Sequence, residues 1–180
     1  MNKAKILVIG KNSYNPSNKN YSNMQIDDYP TDNVAFFPYK KAKNYNLYEL
    51  TTYRRIIGFI KNKKFKETEF NKLPTPKTLA NAFKEKGVYF INALEFDLDG
   101  FTIQSENKKN KLLFDSSTKI LCFGTHAIDK FEGYNNVHNF PHPSPLNNNE
   151  FWENYDDKYS KKKYDFNYKF DQNYLPNTLK

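Results

Sequence analysis

The 180 residues suit one domain burying roughly 70% of the surface that its unfolded chain would expose. Twenty-eight basic and 20 acidic residues leave a net charge of +8, and Arg54 and Arg55 are the only arginines; 31 aromatics, nearly half of the 38% hydrophobic fraction, exclude a disordered chain. A single cysteine, Cys122, excludes an intramolecular disulfide and a thiolate metal cluster, and no apolar run approaches a signal-peptide core or the roughly 18 residues of a membrane span, so a soluble protein of a reducing cytoplasmic compartment is expected.

Lys5 to Ile9, a β-branched-rich run stopped by Gly10, reads as a strand buried on both faces. From Lys11 to Thr31 the chain is rich in Asn, Ser, Tyr and Pro and reads as an elaborated loop. Leu47, Leu50, Tyr53, Arg54, Ile57 and Ile60 recur at helical spacing and predict an amphipathic helix through about Lys61. A second helix is expected from Pro76, through Leu79, Ala82 and Phe83, to Gly87. Val88 to Asn92 and Lys119 to Phe123 read as strands, with Glu106 to Lys111 between them as a solvated loop. A helix from Thr125 to about Phe131 and a strand from Asn136 to Phe140 follow. Pro141-His142-Pro143-Ser144-Pro145 fits neither a helix nor a central strand. The end, 158–180, alternates Lys with Tyr and Phe and is expected to be a loosely packed or mobile extension.

Strands separated by helices imply a three-layer α/β/α sandwich around a largely parallel four-stranded sheet. Ligands of such sheets bind at the carboxyl ends of the strands. Four polar, turn-forming segments follow the four strands: Gly10 to Tyr14, Asn92, Gly124-Thr125-His126, and His142 to Leu146. Asn92 ends an apolar run where strand propensity does not favour it, so it needs a hydrogen-bonding reason.

These segments resemble the uracil-DNA glycosylase superfamily, most closely its family 1 branch. Gly10-Lys11-Asn12-Ser13-Tyr14 is similar to the family's G-Q-D-P-Y, and Asn33-Val34-Ala35-Phe36-Phe37 to its G-L-x-F-S. Gly87 to Glu95 is similar to G-V-L-L-L-N-A-V-L, Gly124-Thr125 to the glycine–serine loop, and His142 to Leu146 repeats H-P-S-P-L intact. The five matches keep family order over residues 5–155, so the resemblance implies one glycosylase-like domain over 1–180 with a basic, aromatic extension at 156–180 and spatial strand order 2-1-3-4.

The resemblance implies a monofunctional DNA glycosylase, monomeric and without metal or organic cofactor, that hydrolyses the N-glycosidic bond of a flipped-out uracil and leaves an abasic site. Leu146 takes the family's wedge position and Phe36 the stacking position, although Phe37 competes for that role. Asn92 suits the N3–H and O4 of uracil. A neutral His142 would donate to O2, where negative charge gathers as the bond breaks. Tyr14 would reject the methyl group of thymine, while Ser13, Gly124, Thr125 and Ser144 would hold flanking phosphates. His126, His138 and Lys161 to Lys163 read as ordinary surface or packing residues.

Three departures open two alternatives. Asn12 stands where the family 1 motif has Asp, so it positions the attacking water without acting as a base, and a catalytically weak DNA- or partner-binding relative is one alternative. Ser13 replaces the motif's Pro, and the stretch from Tyr14 to Asn33 is longer than usual; excision of a modified pyrimidine, for example from foreign DNA, is the other. The positive charge suits a polyanion, while 25 Asn and 26 Lys equally fit an AT-rich coding genome.

Overall fold

The computed structural model describes residues 3–11, 34–38, 46–97, 102–105, 108–111, 114–146, 151–152 and 164–180. In chain order these form β1 (Ile6–Gly10), α1 (Thr51–Lys61), α2 (Glu67–Phe70), α3 (Pro76–Glu85), β2 (Val88–Asn92), β3 (Phe96–Asp97), β4 (Thr102–Ser105), β5 (Lys108–Lys111), β6 (Lys119–Phe123), α4 (Thr125–Lys130) and β7 (Val137–Phe140).

The central sheet has the order β2-β1-β6-β7, and every neighbouring pair is parallel. Numbered within this sheet, the order is the expected 2-1-3-4. β1 lies in the middle, and all five of its residues are buried, because helices cover both faces. Period-two alternation divides the strands between two cores. Ile6, Val8, Val88, Phe90, Leu121, Phe123 and Phe140 face the layer built by α1 and α3, whereas Leu7, Ile9, Ile91, Ile120 and Cys122 face α4 through Ala127 and Phe131. This is the α/β/α sandwich that the order of elements predicts.

Local chemistry explains the helix ends. Thr75 caps α3 by accepting a 3.3 Å bond from Thr78 N, and Pro76 occupies the first turn, where its missing N–H has no helical partner to lose. α1 ends where Asn62 takes a left-handed conformation, φ 50°. The buried arginine of α1 is Arg55, while Arg54, which shares the helical spacing of Leu47, Leu50 and Ile57, lies 4.3 Å from the Tyr48 ring and donates to the Tyr48 carbonyl.

Two further expectations are corrected. Lys108–Lys111, read as solvated loop, is β5, the outer strand of a three-stranded antiparallel sheet in which Ser105 pairs with Lys108. Its hydrogen bonds come from an adjacent strand, a source that a Lys-rich pattern does not advertise. Residues 164–180 are not a loose extension: Phe170, Leu175 and Leu179 enter the core on the α1 side. The Gln172 amide donates to Ile60 O at 3.2 Å, and Asp165 N donates to Asn139 O at 2.8 Å. Lys161 to Lys163 lie outside the described residues. Among the described residues no helix is long and apolar enough to cross a membrane.

Candidate active site

The chain reverses its direction of travel across the sheet between β1 and β6, since β2 adds to one side of β1 and β6 to the other. The crevice outside the carboxyl ends at such a point is where open α/β sheets bind ligands. Gly10 ends β1 and pairs in register with Asn92, the last residue of β2. By alternation both belong to the aromatic face, with Val8 and Phe90. Asn92 is fully buried, an amide held inside the sheet edge.

Phe36 lies over this edge. A Cβ on Gly10 would stand 2.8 Å from Phe36 Cζ, so only glycine lets the ring tip approach the end of β1. The backbone of Phe36 is left-handed, φ 68°, a conformation that costs a bulky residue on the order of 1–3 kcal/mol and gathers at functional sites. Its neighbours hold it there: Ala35 N donates to Phe90 O at 3.3 Å, and the Phe37 ring packs 4.8 Å from Phe90 and 5.1 Å from Tyr53. The Phe36 ring is 4% exposed, with Phe123 edge-on at 5.5 Å and the His142 ring at 6.3 Å.

His142 follows β7. Its Nδ1 accepts from Ser144 N at 3.1 Å. A backbone N–H can only donate, so the neutral ring carries its proton on Nε2. Burial, and secondarily the charge of Lys11, hold the His142 pKa below the ordinary 6.5, which favours that neutral form. Gly124, at φ 88°, leaves room for the ring: a Cβ there would lie 3.0 Å from His142 Cβ and 3.1 Å from Cδ2.

The rest of the loop is tied down. Ser144 Oγ accepts from Leu146 N at 3.2 Å. Trp152 Nε1 donates to His142 O at 3.1 Å. Arg55 Nη1 donates to Ser144 O at 2.7 Å and approaches Pro143 O at 3.5 Å. Leu146 projects from this fixed frame with 93% of its surface exposed.

Of the residues named from sequence, Phe36, Gly124, His142, Ser144 and Leu146 form one group, and Asn92 joins it through its pairing with Gly10. Thr125, exposed, follows Gly124 at the start of α4. Asn12, Ser13 and Tyr14 lie outside the described residues. His126 is exposed on α4, and His138 is half-buried, 3.4 Å from Asp165 and against the Tyr168 ring at 4.5 Å. Among the described residues no cluster of three His, Cys, Asp or Glu side chains offers a metal site. Sequence reading missed Arg55 and Trp152, and it gave Lys11 no role. Their composition carried a signal: the chain has two arginines and one tryptophan. Comparison with known proteins finds no match for this chain among family models, curated proteins or solved structures.

Proposed function

We propose that this chain is a monofunctional DNA glycosylase that hydrolyses the N-glycosidic bond of uracil. The observation that carries the reading is His142, held neutral with an Nε2–H donor at the carboxyl edge of the sheet. As the C1′–N1 bond breaks, its electron pair leaves with the base and charge accumulates on O2. A fixed neutral donor stabilises that charge at little reorganisation cost. Water adds to C1′ and releases a proton to solvent, the uracil anion takes up a proton in turn, and an abasic sugar and free uracil remain; Asn12 is assigned to positioning that water. Asn92 is assigned to the N3–H and O4 edge, where one amide supplies both an acceptor and donors. Stacking by Phe36 requires that its ring, 4% exposed, be uncovered as the base enters. Leu146 fills the gap that the flipped base leaves in the stack.

Incubation with uracil-containing oligonucleotides, followed by alkaline cleavage of abasic sites, tests the proposal. Strand breaks at uracil are expected, and their absence at high protein concentration overturns it. His142→Ala lowers the rate by about 10²- to 10³-fold without loss of fold. Leu146→Ala lowers cleavage more on duplex than on single-stranded DNA, because only the duplex has a stack to refill.

A further inference from the structure

We infer that Arg55 and Trp152 are positioning residues that hold His142 in its donor state by gripping the backbone of its loop. Three consecutive carbonyls, those of His142, Pro143 and Ser144, are met by these two side chains: Trp152 Nε1 takes the first, and Arg55 Nη1 takes the third and approaches the second. Both residues are buried, Arg55 at 7% and Trp152 at 3% exposure, and the guanidinium carbon lies 5.9 Å from the indole ring centre.

Covalent geometry makes this grip reach the imidazole. Pro143 C=O and Ser144 N–H belong to one planar peptide unit. Arg55 approaches one edge of that plane, and the other edge donates to His142 Nδ1. The next plane is fixed in turn, because Ser144 O accepts the shorter bond from Arg55. Pro143 and Pro145 bring no N–H of their own, so orientation of this stretch depends on what its carbonyls receive. A guanidinium suits this position, because its donors are set in a rigid fork and it stays charged at all relevant pH. The chain places one of its two arginines here, while 26 lysines serve elsewhere.

The consequence for catalysis rests on the glycosylase reading; the consequence for His142 does not. The test therefore begins with ¹⁵N NMR of the histidine rings. In the wild type a scalar coupling across the Ser144 N–H···Nδ1 bond and a single Nε2–H tautomer are expected. Loss of either expectation overturns the inference before any variant is made. Trp152→Phe keeps an aromatic ring and removes the N–H, Arg55→Met removes the charge and fork, and Arg55→Lys restores the charge alone. In Trp152→Phe and Arg55→Met the tautomer becomes mixed and the His142 titration rises toward 6.5, with partial recovery in Arg55→Lys. On uracil DNA kcat falls by as much as about 10²-fold, and KM is little changed. Folded variants whose tautomer and titration match the wild type overturn the inference. A changed tautomer with no cleavage by any of the proteins, wild type included, leaves the grip standing and removes the glycosylase reading.

Discussion

Among the described residues nearly every buried aromatic side chain lies on the α1 and α3 side of the sheet, while on the α4 side Phe131 is the single fully buried one, in a cluster of Leu, Ile, Ala and Cys against which Tyr89 and Phe114 pack half-buried. Phe36, Asn92 and His142 of the candidate site lie on the aromatic side. There a run of ring contacts leads from the His142 neighbourhood into the core: Phe36 meets Phe123 at 5.5 Å, Phe123 meets Phe59 at 5.3 Å, and Phe59 meets Phe140 at 4.8 Å. Close-packed rings transmit displacement. Packing and site are therefore mechanically joined on one face and separable on the other.

Phe123→Ala breaks this arrangement most severely. It should cost about 3–5 kcal/mol in chemical denaturation and also remove the edge partner of Phe36, lowering activity per folded molecule. Ile120→Val, on the opposite face, should cost about 0.5–1.5 kcal/mol and leave that activity intact. Equal loss of activity in both variants would erase the distinction between the faces.

Gly124→Ala sharpens it. The left-handed backbone at φ 88° makes any Cβ costly, on the order of 1–3 kcal/mol, and the new methyl presses on His142 from 3.0 Å. Thermal unfolding should show the smaller loss and cleavage the larger one, as much as about 10²-fold. Unaltered cleavage by a destabilised Gly124→Ala protein would mean that the ring position is not critical.

The smallest effect is one of pH. Because the His142 pKa is lowered in the folded protein, the unfolded chain binds a proton that the folded one refuses in the window from 6.5 downward. The contribution of His142 to stability is thus complete above pH 6.5 and declines as pH falls toward the lowered pKa, with a slope of at most about 1.4 kcal/mol per unit. The stability difference between wild type and His142→Gln, followed by denaturant titration from pH 7.5 to 5, should move against the wild type on acidification. Movement in its favour would show that the ring gains a proton on folding, contrary to a neutral donor.

Much of the frame was legible because its signals are local. Val88–Asn92 and Lys119–Phe123 are strands with the ends that their apolar runs indicate, and Pro76 opens a helix as its geometry requires. The burial of Arg55 was not legible. Helical periodicity distinguishes faces only when one of them meets water, whereas α1 is buried almost all round from Arg55 to Ile60. Part of that cover comes from far along the chain, through Gln172 to Ile60 O and Lys61 to Leu179 O. The same long-range packing hides in 164–180, where Phe170, Leu175 and Leu179 are spaced for neither a helix nor a strand. Among site residues, H-P-S-P-L and Asn92 announced themselves by being out of place. Arg55 and Trp152 act on a loop at residues that lie 89 positions from one of them and 10 from the other.

The middle strand of the sheet is the first to be made. β1 precedes both of its neighbours, which begin at Val88 and Lys119, and among the described residues no hairpin gives it a nearby partner. During synthesis the run Ile6 to Ile9 therefore emerges with both edges open and waits for about half of the chain before the first is filled and about two thirds before the second. β6 and β7, joined through the short α4, have no such delay. The segment that ends as a fully buried strand is, at birth, an apolar run with two unpaired edges.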